Sequence, residues 1–384
     1  MPVRIFDEVE MGLLGEVFAS GTLSSLDGKM TRRFEAAFAQ AVGAKYGVGM
    51  NSAMSVLHAS LMALGVGAAD EVICDPVCVF GAVATMYANA IPVFLDVNPV
   101  SWNMDPDLIE SKISQRTKAL IVTHVCGLPA EMERIVGLCK RHRIAVIEDC
   151  AHSLFATYKG KATGTWGDIG SFSFQMSKQL ALGDGGMAVT DDERLARELA
   201  LHAGAPTFYS VAHGLHYNYR MNEQTAAIGL GQLQKAKAYV EELMEIGQMY
   251  NQAVADCPWL RAQSGPPEAV HTYHLWGCRF KGDAHGLSLE DFKRVLEEEK
   301  CSLSIGYTGM PAYKHPLIAQ RLGCGKGCPL DCPLYQGPSN RYPDGLCPEA
   351  EDLMGRIVLA YTFGPKHEQQ ANAARLHTAA ERLG

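Results

Sequence analysis

The chain has 384 residues, 47% of them hydrophobic, and carries 34 Lys+Arg against 42 Asp+Glu for a formal charge of −8. That length and apolar content bury a sizeable core, as two domains or one large domain and a smaller one. The acidic balance, with no long basic run, argues against nucleic acid or an anionic membrane as the main partner. No apolar run reaches the length of a membrane span, and the opening MPVRIFDEVE lacks the features of a secretion signal, so the expected location is the cytoplasm. Of the twelve cysteines, many stand singly in apolar segments (Cys74, Cys78, Cys126, Cys139, Cys150, Cys278). In a reducing compartment these read as small buried hydrophobes.

In chain order, an amphipathic segment and a polar loop occupy residues 1–30, and Phe34, Phe38 and Val42 recur at helical spacing over Thr31–Val42. A short strand, Tyr46–Met50, then meets Asn51-Ser52-Ala53-Met54-Ser55 and a helix over Val56–Leu64. Strand, small polar residues and helix in succession leave free N–H groups at a helix start, which suits a phosphate as well as an ordinary cap. Strands are expected at Glu71–Asp75, Ile91–Val97, Thr117–His124 and Ile144–Asp149, and helices at Ala82–Ala90, 104–116 and Glu131–Arg143. This alternation predicts a mostly parallel sheet with helices on both faces. Beyond it come a helix over Asp191–Gly204, a long helix from Asn222 that continues with breaks to about Cys257, and strands at His271–Trp276 and Ser302–Tyr307. Ser288–Glu298, Glu349–Leu359 and Gln369–Leu383 are the remaining expected helices.

The stretch Glu148–Thr190 organises the rest. An apolar run ends in Glu148-Asp149, and the carboxyl ends of buried parallel strands are where α/β folds place ligand-binding groups. If the strand continues, Glu148 and Asp149 point to opposite faces. Phe172-Ser173-Phe174, Lys178 and Gly183-Asp184-Gly185-Gly186 follow. A lysine of lowered pKa forms a Schiff base with a carbonyl, and pyridoxal 5′-phosphate (PLP) is the usual carbonyl partner.

These motifs, in this order, resemble the DegT/DnrJ/EryC1/StrS family of PLP-dependent sugar aminotransferases: Glu148-Asp149 with Ala151 and His152, then FSF, Lys178 and the Gly183–Gly186 turn. HYNYRM (216–221) and AAIGLGQL (226–233) match the family's later motifs. The resemblance implies an α/β, fold type I, aspartate-aminotransferase-like architecture. A large PLP-binding domain (1–240) with a mostly parallel seven-stranded sheet would precede a smaller α+β C-terminal domain (241–384). It implies transfer of an amino group from L-glutamate or L-glutamine to a keto-sugar or keto-cyclitol, free or nucleotide-linked, with PLP and its pyridoxamine form as cofactor.

On the same basis Lys178 would hold PLP, Asp149 would face the ring nitrogen and His152 the ring hydroxyl. Ser52, Ala53, Met54 and Ser173 would take the phosphate, and Phe80 would stack on the ring. Asn218 would reach the partner's phosphate in a homodimer with shared active sites. Met54 and Val79 stand where the family usually has threonine, and Asp184 replaces a glutamate while keeping the charge. His124 reads as structural or as lying at the pocket edge, with no partner for a metal.

The alternatives are a PLP-dependent sugar dehydratase, which would carry histidine in place of Lys178, and a non-catalytic PLP-binding regulator. An NAD-binding oxidoreductase would need a G-x-G-x-x-G after an early strand, which is missing. Cys324, Cys328, Cys332 and Cys347 lack the spacing of a metal site, so 323–348 is expected to be a Gly- and Pro-rich loop near the active-site mouth. Acceptor specificity is expected in the loops at 20–30, 205–217 and 305–345.

Overall fold

The computed structural model describes residues 5–204, 216–323 and 326–384. Two helices, α1 (Glu8–Ser20) and α2 (Met30–Val42), precede the first sheet. Phe34, Phe38 and Val42 of α2 share one buried face, and the two rings pack at steep angles against Phe172 and Phe174. Then β1 (Tyr46–Met50), α3 (Ala53–Ala63), β2 (Glu71–Cys74), α4 (Val79–Tyr87) and β3 (Ile91–Phe94) alternate. They are followed by α5 (Ile109–Lys112), β4 (Thr117–Thr123), α6 (Met132–His142) and β5 (Ala145–Asp149). The helix expected over 104–116 is shorter: Asp105 and Pro106 open a single 3-10 turn, and α5 adds just four residues.

A small hairpin, β6 (Thr157–Tyr158) and β7 (Lys161–Ala162), leaves the sheet before β8 (Ile169–Ser173) and β9 (Gly186–Thr190) rejoin it, and α7 (Glu193–Ala203) follows. The seven strands lie in the order β1-β9-β8-β5-β4-β2-β3. β3, β2, β4, β5 and β8 pair in parallel, while β9 runs antiparallel to β8 and β1. This is the expected mostly parallel seven-stranded sheet. Every residue of β2, β3 and β9 is buried, as a sheet covered on both faces requires.

The long helix expected to break is one unbroken α8 (Glu223–Ala253), with Asn222 as its N-cap. A buried face from Ala226 to Val240 holds its first part against α1 and α2, while Ile246 and Tyr250 enter the core of the second sheet, and the anticipated boundary at 240/241 falls inside the helix. Beyond it come β10 (Leu260–Ala262), β11 (Ala269–Val270), β12 (Leu275–Phe280), α9 (Leu289–Glu298), β13 (Ser304–Ile305), α10 (Pro316–Ala319), α11 (Pro348–Arg356), β14 (Ile357–Tyr361) and α12 (Lys366–Leu383). A second, antiparallel sheet runs β10-β12-β14-β13, and its core also takes residues from α8, α9 and α12. The strand expected at Ser302–Tyr307 is confined to β13. The helix expected over Glu349–Leu359 stops at Arg356, because Ile357–Tyr361 pairs with β12 and β13 instead.

Cys324 lies outside the described residues. The middle of this loop is anchored at the far end of the sheet. Tyr335 donates to Glu71 Oε1 (2.5 Å) and Tyr342 to the carbonyl of Pro92 (2.8 Å), at the amino-terminal ends of β2 and β3. A buried phenol and a half-buried one, each seeking an acceptor, explain the anchoring. Among the described residues no helix is long and apolar enough to cross a membrane.

Candidate active site

A cavity of about 310 Å³ opens at the carboxyl ends of the parallel strands. Thr123 closes β4, Asp149 closes β5 and Ser173 closes β8; Lys178 stands in the loop that joins β8 to β9. All four line the cavity, with His152, the opening residues Ser52–Met54 of the α3 turn, and Phe80 from the first turn of α4. Residues far apart in sequence therefore converge as the motifs require.

One end of the cavity is built for an anion. Ser52 is the extended N-cap of α3, and its Oγ accepts the amide of Ser55 (3.1 Å). Ser55 Oγ donates to Asn51 Oδ1 (2.6 Å), which braces the turn from inside. As first residues of the helix, Ala53 and Met54 have no carbonyl one turn back to bond, so their N–H groups are offered outward. Gly186 of β9 packs directly on this turn: a Cβ there would lie 2.6 Å from the carbonyl carbon and oxygen of Ser52 and 2.7 Å from the nitrogen of Ala53.

The other end brings a buried carboxyl, Asp149, and a half-buried amine, Lys178, into one cavity. Burial pushes the Asp149 carboxyl above its usual range, against the Ala151 amide (3.1 Å) and the nearby Lys178 ammonium. Burial pulls Lys178 below its ordinary value, and Asp149 is the largest influence opposing that fall. An amine so placed gains nucleophilicity near neutral pH. Behind the pair, Asp75 accepts from Thr123 Oγ1 (2.6 Å) and from the amides of Val77 (2.9 Å) and Cys78 (2.8 Å). Burial pushes Asp75 up to about 6, with a further contribution from Asp149.

Glu148 points away from the cavity, as strand alternation requires. Its carboxylate accepts the amides of Gly164 (2.9 Å), Trp166 (2.7 Å) and Gly167 (2.8 Å) and faces His124 Nε2 (3.1 Å). His124 Nδ1 accepts the Ala130 amide (3.1 Å), so the ring proton is on Nε2 and is donated to Glu148. With Cys150 these two bring potential metal-ligand atoms within 4.8 Å of one another, but the donor atoms of His124 and Glu148 are already engaged. The group is a brace under β4 and β5.

His152 lies against the ring of His274, and its buried Nδ1 has no hydrogen-bond partner. Phe80 sits at the rim, 53% exposed. Asn218 is exposed and does not line its own chain's cavity; the Asn51 amide instead bonds the carbonyl of its neighbour Tyr219 (2.7 Å). Residues 205–215 of the expected specificity loop lie outside the described residues. Sequence reasoning passed over Cys78, Thr123, Gln175 and Ser177 as lining residues. Thr123 ends its strand just as Asp149 does, and the same strand-end rule would have found it.

Residues 5–330 match the DegT/DnrJ/EryC1/StrS aminotransferase family. The chain belongs to this family. It is 39% identical over 365 residues to a pleiotropic regulatory protein of Geobacillus stearothermophilus, covering 94% of this chain and 91% of that one. It is 37% identical over 259 residues to GDP-perosamine synthase of Escherichia coli O157:H7, covering 66% and 70%. Among solved structures, the aminotransferase TlmJ of Streptoalloteichus hindustanus has a TM-score of 0.82 and 26% identity over 99% of this chain and 98% of that one. DegT/DnrJ/EryC1/StrS members are PLP-dependent sugar aminotransferases, and this chain is one. The residues present fit PLP: an amide-lined turn for its phosphate, a lysine for its carbonyl, a carboxylate for its ring nitrogen, and the His152 imidazole beside them.

Proposed function

We propose that the enzyme moves the amino group of L-glutamate, or of L-glutamine, to the carbonyl carbon of a keto-sugar or keto-cyclitol. The observation that carries this reading is Lys178 facing the buried Asp149 in one cavity with the start of α3. PLP, when bound, supplies an electron-accepting pyridine ring that weakens the C–H bond beside the donor nitrogen. Lys178 Nζ is the atom to hold it covalently and, once released, the base that takes up and returns the proton. The Asp149 carboxylate keeps a proton on the ring nitrogen, and His152 gives a hydrogen bond to the ring oxygen. The amides of Ala53 and Met54, with Ser52 and Ser173, hold the phosphate, and Phe80 covers the ring. In a homodimer, Asn218 completes the phosphate site of the partner subunit.

The family shows an enzyme; the one reading that runs against it, a PLP-binding regulator that does not turn over, draws on the name of the Geobacillus relative and on Met54 and Val79 at the usual threonine positions. One experiment separates the two. The purified protein is loaded with PLP and its spectrum followed as L-glutamate, L-glutamine and keto-sugars, free and nucleotide-linked, are added. A visible band that bleaches with a donor and returns with a keto-acceptor supports the transaminase. A stable band that no donor bleaches supports the regulator. Lys178→Ala should lose the half-reaction by roughly 10²–10⁴-fold or more, the usual scale of one positioned proton-transfer group.

A further inference from the structure

Behind His152 the cavity has a wall from the C-terminal part of the chain. The His152 and His274 rings stack with centroids 4.4 Å apart and planes inclined by 19°. Phe363 contacts His274 as well, its centroid 5.2 Å away at 60°. His152 and His274 are 7% and 4% exposed. His274 ends the stretch that feeds β12, so this contact joins the cavity to the second sheet.

Both ring carriers are tied down. The Thr272 amide donates to Gly127 O (3.1 Å), and His271 Nε2 lies 3.2 Å from Cys126 O. Gln179, the residue after Lys178, donates to Thr272 O (3.0 Å) while its own carbonyl accepts the Leu154 amide (2.9 Å). Thr362 Oγ1 donates to the carbonyl of Tyr273 (2.7 Å). A Cβ on Gly127 would meet His152 O at 2.7 Å and His274 N at 3.1 Å, so the two main chains meet without a side chain between them.

The unpartnered Nδ1 of His152 selects a tautomer. A buried N–H without an acceptor costs more than a bare lone pair, so the ring proton belongs on Nε2. Burial, reinforced by Lys178, holds the ring well below the ordinary histidine range, and it stays neutral. His152 then has one N–H to donate, and its use depends on how the ring is turned.

We propose that His274 is a positioning residue: its ring, packed against His152 and Phe363, fixes the His152 imidazole as an Nε2–H donor at the cavity wall. Cofactor affinity is thereby coupled to the seating of the second sheet. The coupling rests on the reading of the cavity as the PLP site; the fixing of the ring does not.

The test compares His274→Ala with His274→Phe, which restores a flat ring without nitrogens. Three quantities are read: the side-chain 1H–15N spectrum of His152 in cofactor-free protein, assigned with His152→Asn; the Kd for PLP; and the pH midpoint of the visible band. In His274→Ala the single-tautomer pattern of His152 gives way to an averaged one. PLP binding weakens by roughly 3- to 10-fold, the worth of one ring stack, and the pH midpoint moves. His274→Phe returns all three towards wild type. Wild-type spectra and Kd in His274→Ala overturn the proposal, as does His274→Phe being as impaired as His274→Ala. If His274→Ala does not fold, Phe363→Leu replaces it and must shift the His152 pattern in the same direction. If the wild type binds no PLP, the reading of the cavity fails, and the His152 spectra still decide whether His274 fixes the ring.

Discussion

Gly186→Ala tests the anion cradle directly. A methyl group at residue 186 would stand 2.6 Å from both the carbonyl carbon and the oxygen of Ser52, where ordinary contact begins at 3.4 Å. These are backbone atoms, so no flexible side chain can yield. Either β9 or the start of α3 must move by about 0.8 Å, and overpacking of this kind costs about 1–3 kcal/mol. The strand is held by register pairs to β1 and β8 on either side, Met50↔Gly186 and Ser173↔Gly186, so the turn is the part that shifts. A displacement of that size spoils one hydrogen bond from amide to phosphate, worth about 1.5–3 kcal/mol when the acceptor is charged. The expected result is a Kd for PLP raised by about 10- to 100-fold. The assay is titration of the apoprotein with PLP by absorbance, with urea unfolding in parallel. A variant that binds PLP like wild type with an unchanged unfolding midpoint would refute the argument.

Glu35 supplies a pH-dependent prediction away from the site. It lines a cleft of about 750 Å³ between α2, β1 and α7, where burial pushes its carboxyl up to about 7 against a bond from the Gly49 amide (2.8 Å). The folded state thus binds more protons than the unfolded chain between about 4.5 and 7, and stability falls as pH rises through that window. At 1.36 kcal/mol per pH unit the ionised form costs the fold up to about 3 kcal/mol. Glu35→Gln keeps an acceptor for Gly49 and removes the charge. It should gain about 1–3 kcal/mol at pH 8 and little near pH 4.5 by urea unfolding; the same gain at both values refutes the assignment. The shared site is tested by mixing Lys178→Ala and Asn218→Ala subunits, each impaired alone. A heterodimer holds one doubly damaged and one intact site, so random reassortment returns about a quarter of wild-type activity. No recovery in heterodimers shown to form would place Asn218 outside the partner's site.

The motif residues were legible because each sits at a point where local rules and topology agree. Asp149 ends an apolar run, Ser52 opens a helix, and Lys178 precedes a glycine-rich turn; one parallel sheet suffices to bring these points together. What stayed hidden depends on distant pairing. Ile357–Tyr361 is an apolar run that reads equally as helix end or strand, and its partner β12 lies some 80 residues away. The anchoring of Tyr335 on Glu71 spans 264 positions and leaves no periodic mark. Likewise β9 reads as a continuation of the glycine turn until it is seen inserted antiparallel between β1 and β8.

The three buried carboxylates at the strand ends show why one of them is the ligand-facing group. Burying a carboxylate is tolerable only if donors replace its water. Glu148 accepts three backbone amides and faces a histidine N–H. Asp75 accepts two amides and a threonine hydroxyl. Asp149 accepts one backbone amide, that of Ala151, and faces the cavity beside Lys178. It therefore keeps acceptor capacity at the cavity, and on the proposed reading a protonated pyridine nitrogen is the donor that would fit it beside Lys178. The satisfied pair, Asp75 and Glu148, fixes the floor; the under-provided Asp149 is the one that the proposed function assigns to the cofactor.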